Sequence, residues 1–94
     1  MTILKDLKIL DFSSMLPGPM ATMMFSDFGA DVVHIESTRR LDIMRIMPPY
    51  DDEKESYIHQ HLNRNKKSLT LNLKTAQATE IVKELVKEYD IVVE

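Results

Sequence analysis

The sequence predicts an α/β fold, a partial parallel sheet assembled from βαβ units, and three observations carry that prediction. Short apolar or β-branched runs at 7–12, 32–36 and 91–93 alternate with segments of helical period at 17–28 and 75–89. A Pro17-Gly18-Pro19 turn follows the first run and Gly29 precedes the second, which is the punctuation of strand, turn, helix and strand. The last run, Ile91-Val92-Val93, is apolar at successive positions, as in a central parallel strand covered by helices on both faces.

Taken in order, Leu7 to Phe12 lead into the small polar pair Ser13-Ser14, a buried strand followed by a turn. Pro19 suits the first turn of a helix, where its missing N–H would have had no partner. Along that helix Ala21, Met24, Phe25 and Phe28 fall at i, i+3, i+4 and i+7, and predict its core-facing stripe; Gly29 supplies the left-handed cap. Val32 to Glu36 form the second strand.

Residues 37–63 are an irregular excursion, with Pro48-Pro49 blocking a helix through the middle and Asp51 to Glu55 forming an acidic, solvated patch. Ser56 can cap a short helical turn carrying Tyr57 and Ile58. After Asn65-Lys66-Lys67, Leu69, Leu71 and Leu73 alternate with Ser68, Thr70 and Asn72, the pattern of a half-buried strand. Thr75 caps a helix whose apolar positions Ala78, Ile81, Val82, Leu85, Val86 and Tyr89 repeat with helical period, opposite Glu80, Lys83, Glu84 and Lys87. A central strand at 91–93 with no helix after it cannot be covered by 94 residues, so the chain is expected to be a piece of a larger domain.

Twelve basic and fifteen acidic residues give a net charge of -3, which supplies no general attraction to nucleic acid. The absence of cysteine removes disulfides, thiolate metal sites and cysteine nucleophiles together, and fits a cytoplasmic setting. No run approaches the roughly 20 apolar residues of a membrane span, and no membrane association is expected.

Several residues invite a chemical reading. The Ser13 to Pro19 turn opens a helix, where amides and the helix dipole attract anions. Two prolines remove donors and neither glycine-rich phosphate motif is present, so structural turn and ligand loop both stand. Arg39 and Arg40 after the second strand, and Lys74 after the third, lie at strand carboxyl ends, where doubly wound sheets bind phosphorylated ligands; Arg64, Lys66 and Lys67 lie at the other end of the third strand. A solvated charged loop is the competing reading for both clusters. His59 and His61 lack a carboxylate or thiolate partner and are expected at the surface, with no metal site. His34 is expected to be packed or hydrogen-bonded. Asp11, beside the first turn, is expected to be structural.

Leu10-Asp11-Phe12-Ser13 with Pro17-Gly18-Pro19, then Gly29-Ala30-Asp31-Val32-Val33-His34-Ile35-Glu36, resemble the opening of the class III CoA-transferases, the CaiB/BaiF family. The resemblance runs on through Asp42 and Arg45, through Asn63 to Lys74, and through Asp90 to Glu94, with the blocks in order along the whole chain.

That resemblance implies that residues 1–94 are the amino-terminal part of a Rossmann-like domain that binds the nucleotide of coenzyme A, in an interlocked homodimer. Acyl-CoA and carboxylic acids would be its substrates. The family moves CoA between acids through an aspartyl anhydride and thioester, and a racemase branch inverts α-methyl centres of acyl-CoA. The nucleophilic aspartate lies beyond position 94 in the family pattern, so these residues alone are expected to be inactive. By position, Leu16 stands where many relatives carry a polar side chain near the acyl thioester. Leu71, Asn72 and Lys74 match the strand lining the CoA nucleotide, with Lys74 meeting a phosphate. Thr38 replaces a frequent arginine, leaving that contact to Arg39 or Arg40, or to neither. Two readings from other classes are a free-standing module that binds a phosphorylated ligand without chemistry, and a protein-interaction piece that completes another sheet through its last strand.

Overall fold

The computed structural model describes residues 2–94. Its elements are β1 (Lys8–Asp11), α1 (Pro17–Asp27), β2 (Asp31–Ser37), a 3-10 turn (Ile43–Ile46), α2 (Tyr57–Leu62), β3 (Lys67–Leu71), α3 (Ala76–Val86) and β4 (Ile91–Val93). The four strands form one sheet in the order β3-β2-β1-β4, and every pairing is parallel. The chain thus grows outward from β1 to β3 and then crosses to the other side of β1 for β4.

Because side chains alternate across a strand, β1 and β2 present two different faces. Ile9 and Val32 pack with Ala30, while Leu10, Val33 and Ile35 form the other cluster with Leu69, Leu71, Leu85 and Tyr89. Helix α3 therefore covers the Leu10 face. Helix α1 covers the Asp11 face, since Thr22 reaches the Asp11 carboxylate.

The buried stripe of α1 is Pro19, Thr22, Met23 and Ser26, with the expected period but displaced by two positions, onto roughly the opposite face from the stripe that hydrophobicity selects. Met24, Phe25 and Phe28 are exposed. The reason is polar satisfaction: Thr22 Oγ1 donates to Asp11 Oδ2 at 2.5 Å and Ser26 Oγ donates to Met23 O at 2.7 Å, so both hydroxyls can be buried without loss.

The helix starts as expected, with proline at the first positions, and Gly29 adopts φ 102. Ser56 and Thr75 cap α2 and α3 by accepting from His59 N and Ala78 N. Strand β3 stops at Leu71 instead of running to Leu73, which turns outward in the loop that follows. In these 94 residues β4 lies at the sheet edge and not in the centre; Ile91 and Val92 are exposed. Among the described residues no helix is long and apolar enough to cross a membrane.

Candidate functional site

The site grows from the end of β1. Asp11 is fully buried, and its carboxylate gathers every donor around it. Oδ1 accepts from Ser13 N at 2.8 Å and from the Ser13 hydroxyl; Oδ2 accepts from Thr22 Oγ1 and from Lys66 Nζ at 3.4 Å. The ammonium of Lys66 also donates to Pro19 O at 3.1 Å and Asn63 Oδ1 at 3.2 Å. Only 1% of the Lys66 side chain is exposed. Burial holds the Lys66 amine below its usual value, and the nearby Asp11 charge pulls it back only in part.

His34 lies opposite Asp11 on β2 and is also buried. Its Nε2 is 3.1 Å from Ser13 O. A carbonyl only accepts, so this contact requires the proton on Nε2. Gly18 completes the turn: a Cβ there would stand 2.3 Å from Ser13 Cβ, so no larger residue fits without moving the loop.

A second buried carboxylate faces the same loop. Asp42 Oδ1 accepts from Met15 N at 3.2 Å and from Met44 N at 3.0 Å, the latter capping the 3-10 turn. Met15 has φ 71, a left-handed conformation that a methionine rarely takes. Behind Asp42, Glu36 accepts from Arg45 Nε at 2.8 Å and Nη2 at 2.5 Å, a two-pronged pair. Those hydrogen bonds hold the Glu36 carboxyl below its ordinary value against the opposing effect of burial.

Between these elements opens a cleft of about 690 Å³ at the carboxyl ends of β1 and β2. The loop Phe12 to Met15 forms one wall, His34 to Ser37 the floor, and Arg40 to Ile43 with Leu73 the other side. Ligands of open parallel sheets bind at that end of the strands.

Comparison with known proteins settles the family. The sequence profile of CoA-transferase family III matches residues 4–94. The chain belongs to CoA-transferase family III. Over its full length it is 43% identical to a succinyl-CoA:mesaconate CoA-transferase of Haloarcula marismortui, of which it covers 24%. Over 99% of its length it is 39% identical to a formyl-CoA:oxalate CoA-transferase of Escherichia coli, of which it covers 22%. A CAIB/BAIF family protein from Brucella suis superposes with TM-score 0.83 at 34% identity, over 97% of this chain and 25% of that one. A hypothetical protein (Rv3272) of Mycobacterium tuberculosis superposes with TM-score 0.85 at 31% identity, over 100% of this chain and 25% of that one. The chain thus spans about a quarter of the length of the family III proteins it matches.

Against that family background the six positions singled out in the sequence are not all brought together. Arg40 lines the cleft. Arg39 is exposed next to it, and the amides of both arginines donate to Ser37 Oγ at 3.0 Å, which fixes the backbone of the turn. Leu16 is 41% exposed at the start of α1, outside the cleft lining. Leu71 is committed to the core beside Leu10 and Val33. Asn72 Oδ1 accepts from Lys74 N at 3.2 Å, so Asn72 shapes the turn that carries the exposed Lys74.

Two departures concern residues expected at the surface. Lys66 is buried under the first loop, and His59 is 9% exposed with Nε2 lacking a hydrogen-bond partner. Burial, and then the charge of Arg45, keep the His59 imidazole below its ordinary value. His61 does lie at the surface, 2.9 Å from Arg64 Nη1. Asp42 was legible only as part of a family block, because nothing local to Leu41-Asp42-Ile43 announces a carboxylate that reaches back to residue 15.

Proposed function

We propose that this chain forms one part of the coenzyme A site of a class III CoA-transferase that moves CoA between carboxylic acids. The observation that carries the reading is the match to CoA-transferase family III from residue 4 to residue 94, on a chain whose cleft lies at the carboxyl ends of parallel strands. The residues suit such a ligand. Arg40 in the cleft and the exposed Arg39 and Lys74 offer cations to phosphates, and Lys74 does so as a compact point charge on a turn held by Asn72.

In this reading the nucleophile is an aspartate outside these 94 residues. It attacks the acyl-CoA carbonyl to give an anhydride and free CoA thiolate; the thiolate attacks the aspartyl carbonyl, forming an enzyme thioester and releasing the donor acid. The acceptor carboxylate then displaces the thiolate to form a second anhydride, and the thiolate attacks the acceptor's carbonyl to give the new acyl-CoA and free the aspartate. The chain's own residues bind and orient. The full protein works as a cytoplasmic homodimer.

The test is coenzyme A affinity measured by calorimetry. Lys74→Ala, at an exposed position, is expected to weaken CoA binding about tenfold, the worth of one charge-assisted contact. An unchanged dissociation constant would remove Lys74 from the site. Acyl transfer by these 94 residues alone would overturn the location of the nucleophile.

A further inference from the structure

The loop that walls the cleft is suspended from two buried carboxylates of different kinds of duty. Asp11 belongs to the strand before the loop and fixes Ser13 through its amide and hydroxyl. Asp42 comes from 27 positions downstream and takes hold at Met15 N, 3.2 Å away. Between those anchors Met15 sits at φ 71. Among the described residues, Met15, Lys54 and Asn65 are the non-glycine positions with positive φ. Asn65 is of a type that tolerates this region, and Lys54 sits in an exposed turn away from the cleft. Met15 lines the cleft. A bulky side chain held left-handed persists only where its surroundings over-determine it, and such residues concentrate where a ligand must find a preset surface.

We propose that Asp42 is a positioning residue for ligand binding in this cleft: by accepting the Met15 N–H it holds Met15 left-handed and keeps the Ser13 to Met15 wall in its ligand-receiving shape. The same oxygen caps the 3-10 turn at Met44 N, so the cleft's two sides are set relative to each other by one carboxylate. The inference rests on the coenzyme A reading for the identity of the ligand. Without Asp42, Met15 relaxes to negative φ, the receptive shape becomes a minority state, and apparent affinity falls by the fraction that remains competent.

The experiment is titration of the full protein with coenzyme A, with urea unfolding in parallel. Asp42→Asn retains an oxygen acceptor for both amides and is expected to bind within about twofold of the parent. Asp42→Ala is expected to bind about tenfold more weakly. Adding Met15→Gly to Asp42→Ala is expected to recover most of that loss, because glycine takes positive φ unaided. A role confined to stability would lower the urea midpoint of Asp42→Ala, leave its dissociation constant unchanged and gain nothing from glycine; either binding result overturns the proposal. If Asp42→Ala does not fold, the exposed position 15 decides: Met15→Val resists positive φ and is expected to bind about tenfold more weakly than Met15→Gly. Equal affinities of those two overturn the proposal while leaving the coenzyme A reading intact. A full protein that does not bind coenzyme A at all overturns both.

Discussion

Asp11 and Lys66 show how a single pair of residues can be both costly and necessary. Both side chains are excluded from water, at 0% and 1% exposure, and the lowered Lys66 amine means that desolvation outweighs attraction across 3.4 Å. Burying two charges ordinarily costs about as much as their attraction returns, so the pair by itself adds little stability. Removing one member is another matter, because the survivor remains buried and unpaired. Lys66→Met is expected to destabilise the fold by about 3 kcal/mol, since it strands the Asp11 carboxylate under α1. Adding Asp11→Asn should recover part of that loss, the amide oxygen still accepting from Ser13 or Thr22. A double-mutant cycle by urea denaturation checks both values; additive losses would show that the two groups do not interact.

Elements were readable where one chemical signal dominated. For α3 the cap, the apolar stripe and the charged outer face all agreed, and the structure has Ala76–Val86 with Thr75 Oγ1 accepting from Ala78 N at 3.1 Å. Thr75→Ala is expected to cost about 1 kcal/mol, with Thr75→Ser close to the parent, as read from urea midpoints. In α1 the signals conflicted. Hydrophobicity selected Met24, Phe25 and Phe28, whereas the helix turns inward Thr22, which donates to the buried Asp11 carboxylate, and Ser26, whose hydroxyl is satisfied by the Met23 and Arg64 carbonyls. The start and stop of α1 were legible because proline and glycine act through their own backbones. Its orientation was not, because that depends on what lies on β1.

Two titrating groups, His59 and the cleft-floor Glu36, contribute to how the whole molecule responds to acid. His59 is held below its ordinary value of 6.5, so the fold prefers the neutral imidazole while the unfolded chain takes up a proton at higher pH. Stability is therefore expected to fall as pH drops through 6.5, levelling off below the folded value. Glu36 acts in the next window: its folded value lies below 4.5, so the stability from its pairing with Arg45 is present above 4.5 and lost as pH falls further. Unfolding free energies measured between about pH 7 and pH 3 should show both declines. His59→Gln should flatten the first and leave the second. A first decline that survives in that variant would assign it to another group.

The parallel α/β class, the order of strands and helices, both hydroxyl caps and the place of the cleft at strand carboxyl ends were all determined by the sequence alone, because each follows from local period, local punctuation or chain order. The tertiary structure decided what depends on distant partners. It placed β4 beside β1 at the edge of the sheet, buried Lys66 and His59, turned α1 onto its polar stripe, and brought Asp42 to Met15 across 27 positions. Burial of a charge or a hydroxyl is permitted only by the group that satisfies it, and that group is chosen by the fold, not by sequence neighbours.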